Sequence, residues 1–182
     1  GLEADLESFA LSRIEPGPSY LEVGGQRIDG IPMFDGSSTG PEGIKGRIGP
    51  VGSSVEIGVG QVKLRAGEDE ALTASRNAGD HKSLVAVTVG GCPGLMLSNA
   101  PEFESPFGPP VLQVASEAQA LVNKHAGLHS TARLVATITR EDTESFNVVA
   151  RLAGEDKTLP PLPVMTPRSG WWQCASERGG GL

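Results

Sequence analysis

Residues 81–100 read HKSLVAVTVGGCPGLMLSNA, and this stretch carries the strongest structural signal in the chain. Its segment from Ser83 to Val89 is apolar almost throughout, which is typical of a strand buried on both faces of a sheet. The sequence Cys92-Pro93-Gly94 predicts a turn, and Leu95 to Asn99 predict a second short strand. The stretch therefore predicts the centre of a β-rich body.

The residues before this stretch predict one strand and one helix. VEIGVGQVKL (residues 55–64) alternates apolar side chains, as a strand with one buried face does. DEALTASRNAG (residues 69–79) predicts a short helix, and Gly79 is placed where a glycine commonly ends a helix. Short strands are also expected around Ile44 and Ile48.

The residues after it predict a second strand and helix pair. PFGPPVLQV (residues 106–114) predicts a rigid proline-rich loop that runs into a strand. SEAQALVNKHAG (residues 116–127) predicts a helix whose capping box joins Ser116 to Gln119 and whose last residue is Gly127.

The beginning of the chain predicts a helix followed by a hairpin. GLEADLESFALSRI (residues 1–14) places its large apolar residues at helical spacing, and Pro16 would end that helix. SYLEVGGQRIDG (residues 19–30) predicts a hairpin that turns at Gly24-Gly25.

The last third of the chain predicts strands. TARLVATITR (residues 131–140) alternates as a strand does, and FNVVARLAG (146–154) and PLPVMT (161–166) predict two more. From about residue 145 onward, strands lead into polar or glycine-rich turns, as at the start of an α/β sheet. The predicted fold class is α+β with a β-rich body.

Composition narrows the classes of partner. The 182 residues carry a net charge of −7 and a sequence pI near 5.0, which argues against nucleic acid, since nucleic acid requires a clustered basic surface. No apolar run approaches the roughly 18 residues of a membrane span. We therefore expect neither nucleic acid nor a membrane as a partner.

The sequence gives only a weak indication of the cellular compartment. No stretch resembles a signal peptide, which slightly favours the cytoplasm, although a signal removed before Gly1 would allow secretion. Two cysteines, Cys92 and Cys174, form neither a disulfide framework nor a zinc site by themselves, and we expect two unpaired thiols.

Three local motifs resemble known sites but each lacks a feature that the site requires. His125 and His129 have the spacing of a helical zinc pair, but Gly127 between them is expected to end the helix. Ser169 lacks the G-x-S-x-G pattern of an activated serine, and the glycines of ERGGGL (residues 177–182) are not followed by a phosphate-binding lysine.

Larger segments carry a resemblance. Residues 81–100, PFGPPVLQVASEAQALV (106–122), and FNVVARLAG leading into LPVMTPRSGWWQCASERGGGL (162–182) resemble zinc-dependent aminopeptidases and glutamate-carboxypeptidase-like metallopeptidases that carry a protease-associated domain. The resemblance implies three parts. Residues 1–29 would belong to the peptidase-type domain, residues 30–142 would form a protease-associated-like insert, and residues 143–182 would be the truncated start of the α/β peptidase sheet.

The resemblance also implies an altered metal site. In this family a strand ends in Gly-Ala-His-x-Asp, whose histidine binds zinc, and a later turn supplies an aspartate that bridges two zinc ions. Alignment on Val164 puts Pro167 at the histidine, and proline cannot coordinate a metal. Glu177 falls on the bridging carboxylate and is the one implied metal ligand. The implied substrate-binding residues are Arg168, Ser169, Trp171, Trp172 and Arg178, and no catalytic residue is implied.

The functional expectation follows from this pattern. The chain would be a fragment of a metallopeptidase-like hydrolase of aminopeptidase type, inactive as these 182 residues and without bound zinc, although the family uses zinc. Its partner would be a peptide or another small-molecule substrate, and its oligomeric state is not indicated. The alternatives are a non-catalytic relative (a pseudoenzyme) that binds peptides or carbohydrates, and a protein-interaction module.

Overall fold

The computed structural model describes residues 3–63, 67–90, 93–98, 100, 102, 104–156 and 158–165. Within them the chain forms strands β1 to β8 and helices α1 and α2. A single 3₁₀ turn, Ser116–Ala118, precedes α2. In chain order the elements are β1 (Ala4–Val23), β2 (Gln26–Pro32), β3 (Ile44–Pro50), β4 (Ile57–Lys63), β5 (Gly67–Glu68), α1 (Glu70–Ala78), β6 (Ser83–Val89), β7 (Val111–Val114), α2 (Gln119–Gly127) and β8 (Thr131–Ala150).

The strands form one mixed sheet that closes on itself. Their order is β3-β8-β1-β2-β7-β6-β4-β5, and β3 also pairs with β4 in parallel, with Ile48 opposite Ile57. Strands β4, β6 and β7 continue the parallel part, whereas β2 and β8 pair antiparallel with their neighbours. Seven strands therefore close into a ring, and β5 extends β4 outside it.

Strand β6 is buried on both sides, as the sequence predicts. Val85 and Val87 belong to a core to which strands all around the ring contribute. Leu84 and Ala86 point the other way, into a second core with Leu72 of α1. Because both faces of β6 are covered, its sequence lacks the alternation of a half-exposed strand.

Helix α1 confirms the predicted helix and its end. The carboxylate of Asp69 accepts a hydrogen bond from the backbone N–H of Leu72 at 2.7 Å, which caps the first turn. Gly79 follows the helix at φ 63°, and its N–H donates to the carbonyl of Ser75. A left-handed residue at this position favours glycine.

Helix α2 ends at Gly127 as predicted, but the predicted capping box is wrong. Ser116 lies in the 3₁₀ turn, and its hydroxyl accepts a hydrogen bond from the N–H of Gly94 at 3.0 Å. Ala118 therefore precedes α2 without any side-chain cap. The hydroxyl serves the loop that follows β6 instead of the helix.

The predicted helix in residues 1–14 is also wrong. Strand β1 begins at Ala4 and has β8 as its neighbour in the sheet. Pairing with a strand more than 100 residues away outweighs the local spacing of apolar residues. The hairpin that follows is confirmed, with Leu21 opposite Ile28 across the Gly24-Gly25 turn.

Two further predicted strands are absent from the described residues. Residues 95–98 form no strand, because the N–H of Met96 donates to the side chain of Thr88 and that of Ser98 to the side chain of Gln113. Residues 161–165 are exposed coil, and residues 146–150 form the end of β8.

The described residues fall into two compact units. One comprises residues 9–145, and the other comprises residues 3–8 together with 146–165. The division into residues 1–29, 30–142 and 143–182 stays a prediction. Among the described helices, none has the length and apolar character that a membrane crossing requires.

Candidate functional site

The site residues implied by the resemblance lie outside the described residues. This holds for Pro167 and for the set Arg168, Ser169, Trp171, Trp172, Glu177 and Arg178, as well as for the glycines of ERGGGL. Cys92 and Cys174 also lie outside them. The structure describes the chain up to Met165, so these roles stay predictions.

All three histidines of the chain are described, and His81 is fully engaged in the fold. Its Nδ1 lies 2.8 Å from the carbonyl oxygen of Val55, and the N–H of Gly52 lies 3.2 Å from its Nε2. A carbonyl only accepts and an N–H only donates, so these partners assign a neutral ring with its proton on Nδ1. Neither nitrogen is available to a metal without breaking a hydrogen bond.

The other two histidines do not form a helical metal pair. His125 lies on α2, and its Nδ1 is 2.9 Å from the hydroxyl of Ser130. His129 lies beyond the end of α2, at φ 48°. The two histidines therefore do not lie one turn apart on a single helix, as the sequence predicts from Gly127. Throughout the described part of the chain, no three His, Cys, Asp or Glu residues group as a metal site would require.

The ring of His125 is packed against the β1–β2 turn. A Cβ built on Gly24 would lie 2.3 Å from Nε2 of His125, and Gly24 itself has φ 59°. Both the close approach and the left-handed backbone require glycine here. His125 therefore joins the hairpin to the end of α2, which is a structural role.

A buried ion pair was not foreseen from the sequence. Arg76 of α1 donates from Nη2 to Oδ1 of Asp35 at 2.8 Å, and the two side chains are only 4% and 2% exposed. The Arg76 guanidinium also lies over the ring of Phe107, 4.4 Å from its centroid, and the N–H of Phe107 donates to the carbonyl of Asp35 at 2.9 Å. The pair joins the loop after β2, helix α1 and the proline-rich loop before β7.

A second buried polar group holds the segment 93–98. Gln113 of β7 is buried, and its Oε1 accepts from the N–H of Ser98 at 2.7 Å while its Nε2 donates to the carbonyl of Pro32 at 3.4 Å. Side-chain hydrogen bonds thus replace the strand ladder that the sequence predicts here. No local sequence motif predicts this role for Gln113.

One carboxylate in the body has a shifted pKa. The backbone N–H of Arg47 donates to Oε2 of Glu56 at 2.8 Å, and this hydrogen bond is the main reason that the pKa of Glu56 lies below its ordinary value. Backbone donors favour the charged form of a carboxyl. The contact between β3 and the start of β4 is therefore present at neutral pH and weakens as the pH falls through the lowered pKa.

Comparison with known proteins relates this architecture to aminopeptidases. No family model and no curated protein sequence matches the chain. Among solved structures, it matches the aminopeptidase from Aneurinibacillus sp. strain AM-1 with a TM-score of 0.58 and 15% identity, over 86% of this chain and 40% of that one. The chain shares the fold of part of an aminopeptidase.

Two further solved structures match the fold of this chain. BSAP, a zinc aminopeptidase from Bacillus subtilis, gives a TM-score of 0.55 at 14% identity over 86% of this chain and 38% of its own. The peptidase M28 precursor from Shewanella amazonensis SB2B gives 0.53 at 14% identity over 82% and 41%. The likeness shows the fold alone, and the chain spans about two fifths of each neighbour.

Proposed function

We propose that this chain is part of an aminopeptidase-type metallopeptidase, with a protease-associated-like domain (residues 30–142) and the first strands of a peptidase sheet (residues 143–182). The observation that carries the proposal is the structural match to an aminopeptidase over 86% of the chain. The β-rich body with two short helices is consistent with such a domain.

The two long strands support the proposed second part. Strands β1 and β8 have 20 residues each. However, β2 pairs only with Tyr20–Val23 of β1, and β3 pairs only with Thr131–Leu134 of β8. Ser38 and Thr39 hydrogen-bond to β8 at Ala136 and Ile138. Beyond these contacts, no described strand pairs with the outer edges of the remaining lengths of β1 and β8. An open edge is the place where a sheet continues.

The residues that the structure describes do not supply a zinc site. His81 and His125 are engaged in structural hydrogen bonds, and His129 is exposed beyond the end of α2. Pro167 stands where the family's ligand histidine is expected, and proline has no donor atom for zinc. We therefore derive no hydrolytic step for these residues and propose that the chain itself does not hydrolyse peptides.

The proposed activity of the chain is binding of peptide ends. Arg168 and Arg178 have the bidentate fork that suits a carboxylate. Trp171 and Trp172 have large aromatic faces that suit apolar or cationic side chains of a peptide. Ser169 adds a hydrogen-bonding group between them. The support is residue chemistry and proximity in sequence.

Tryptophan fluorescence tests peptide binding directly. Both tryptophans of the chain are in this segment, so selectively excited emission reports on it alone. We expect short peptides with a free carboxylate to change the emission saturably, and Arg168→Gln to weaken their affinity by about tenfold or more, as loss of a charge-assisted hydrogen bond predicts. The matched control is Arg27→Gln, which removes an equal charge from the exposed hairpin.

The same titration separates the alternatives. No response to any peptide would contradict the proposed binding, and a response to oligosaccharides instead would favour the carbohydrate-binding alternative. Stoichiometric zinc by elemental analysis, together with hydrolysis of aminoacyl anilides, would contradict the proposal that the chain is inactive.

A further inference from the structure

The loop that connects β3 to β4 lies where the sheet closes into a ring. We call residues 51–56 the closure loop. The N–H of Val51 donates to the carbonyl of Val59 in β4, and the carbonyl of Glu56 accepts from the backbone N–H groups of residues 82–83. The three residue pairs that join β3 to β4 in parallel come directly before and after this loop. The place of the loop therefore bears on whether the ring stays closed.

The buried ring of His81 holds the middle of the closure loop by two hydrogen bonds. Its Nδ1 lies 2.8 Å from the carbonyl oxygen of Val55, and its Nε2 lies 3.2 Å from the backbone nitrogen of Gly52. Strand β4 packs closely against the ring, because a Cβ built on Gly58 would lie 2.6 Å from Cδ2 of His81. The ring is therefore held between the loop and the sheet.

Only the neutral ring satisfies both hydrogen bonds. The carbonyl of Val55 requires a proton on Nδ1, and the N–H of Gly52 requires a lone pair on Nε2. A second proton on Nε2 would point at the N–H of Gly52, and two donors cannot share one hydrogen bond. Protonation of His81 and its contact with Gly52 therefore exclude each other.

A carboxylate that could accept the second proton's hydrogen bond lies beside the ring. Oδ1 of Asp80 is 3.8 Å from Nε2 of His81, which is too long for a hydrogen bond to the neutral ring. The hydroxyl of Ser75 donates to the same oxygen at 2.5 Å and so fixes its position. A charged imidazolium would be attracted to this carboxylate.

The other charged groups around the ring are few. On the elements that pack against it they are Glu56 in the closure loop, Glu70 and Arg76 in α1, Lys63 at the end of β4, and Lys82 beside His81. Arg76 is paired with Asp35, and the carboxylate of Glu56 accepts from the N–H of Arg47. Between about pH 5 and pH 8 histidine is the side chain that ordinarily changes its charge.

We propose that uptake of a proton by His81 releases the closure loop, so that acid weakens the closure of the ring. The Asp80 carboxylate then accepts a hydrogen bond from Nε2, and the N–H of Gly52 loses its acceptor. The contact is present while the ring is neutral and is lost as the pH falls. The inference goes beyond the proposed function, because it concerns the unit of residues 9–145 and not the segment that would bind peptides.

Hydrogen exchange of the closure loop tests this inference in the full chain. Peptic fragments that cover residues 51–56 are compared between about pH 7.5 and about pH 5.5, where histidine changes its charge. A synthetic peptide of residues 48–60 corrects for the direct effect of pH on exchange. An exposed histidine takes up its proton near pH 6.5, so an opening coupled to this proton becomes about tenfold more favourable across the range. We expect the corrected exchange to accelerate by that factor.

Matched histidine variants identify the responsible group. His81→Asn keeps a side-chain N–H for the carbonyl of Val55 but has no nitrogen that can gain a proton, so the acceleration should disappear. The control is His129→Asn. His129 is exposed, its Nδ1 would lie 2.9 Å from a Cβ built on Gly49 just before the closure loop, and asparagine tolerates its φ of 48°. The acceleration should survive in this control.

Asp80→Asn tests the acceptor while His81 stays in place. Asparagine keeps a side-chain oxygen for the hydroxyl of Ser75 but removes the charge that attracts the imidazolium. The acceleration should then begin at a pH lower by about half a unit, as expected for a partly exposed ion pair. This variant keeps the inference testable if His81→Asn does not fold, which circular dichroism checks.

Three results would overturn the inference. The loop of the unsubstituted chain could show no corrected acceleration, or the acceleration could persist in folded His81→Asn. Its loss in His129→Asn would assign the effect to His129. An unchanged onset in Asp80→Asn would contradict the role of Asp80 as acceptor. Peptide binding is measured by tryptophan emission, so failure of the proposed function and failure of this inference are distinguishable.

Discussion

The buried pair of Arg76 and Asp35 joins parts of the chain that are 41 residues apart. No short sequence pattern links the two residues, because Arg76 lies on helix α1 and Asp35 lies in the loop after β2. Their burial means that the pair holds its geometry only while both charges are present. The pair therefore fixes the loop after β2 to helix α1.

Replacing Asp35 by asparagine should be strongly destabilising. The Arg76 guanidinium would lose the Asp35 carboxylate in a buried site, and breaking such a pair costs about 3–5 kcal/mol. Urea denaturation measures the free energy of unfolding. The matched control is Asp29→Asn, whose pair with Arg27 is of similar length (2.7 Å against 2.8 Å) but is exposed, so that we expect a loss of about 0–1 kcal/mol. Equal losses in the two variants would show that burial does not decide the effect.

The amino-acid sequence predicts the elements that carry this pair but not the pair itself. The helix of Arg76 and the proline-rich loop of Phe107 were both predicted. The contact partner of a buried charge depends on how distant elements pack, and a single sequence does not encode it in any short spacing. The same holds for His81, whose neighbours Val55 and Gly52 come from an earlier turn.

At the scale of elements, α1 is the part that local sequence determines best. Its first turn is capped by Asp69, and its end is fixed by Gly79. Both signals act within a few residues, and for this reason the prediction matches the structure. Strand β6 was predicted for a related reason, because burial on both faces leaves a continuous apolar run.

Removal of the Asp69 cap gives a prediction for this element. Asp69→Ala leaves the N–H of Leu72 without its carboxylate acceptor, and loss of such a cap costs about 0.5–2 kcal/mol. Thermal unfolding followed by circular dichroism measures the change. Asp69→Asn keeps a side-chain oxygen and should restore most of the stability. A full loss in the asparagine variant would argue against capping as the cause.

The errors at this scale have one physical origin. Residues 1–14 have apolar spacing that suits a helix, yet they lie in a strand whose neighbour, β8, begins at Thr131. Likewise, Ser116 was expected to cap α2, but its hydroxyl is bonded to Gly94. In both cases a distant partner outweighs a local preference.

For the whole molecule, closure of the sheet is the decisive feature. The parallel pairing of β3 with β4 joins the two ends of the strand order. A closed sheet with a shared core is expected to open only by global unfolding. The strand ends outside the ring have one neighbour each and are expected to open locally.

Hydrogen exchange should separate these two behaviours. We expect the amides of β6 to exchange slowest and those of Phe146–Ala150 at the end of β8 to exchange much faster. Mass spectrometry of peptic fragments measures both in one experiment, and the α1 amides provide an internal reference. Equal protection of β6 and the end of β8 would contradict this picture of the fold.

The candidate site is the part of the molecule that the sequence predicts least completely. The likeness to zinc aminopeptidases, first indicated by residues 81–100, 106–122, 146–154 and 162–182, agrees with the fold comparison. The roles of Trp171, Glu177 and their neighbours stay predictions, since those residues lie outside the described part of the chain. Residue types can suggest a binding chemistry, but only geometry can show that the groups meet.

The neighbouring positions of β1 and β8 have a consequence for how this body could be inherited. The unit of residues 9–145 is entered along one strand and left along the adjacent strand. A unit whose two connections lie side by side can be spliced into a surface hairpin of a host without pulling that host apart.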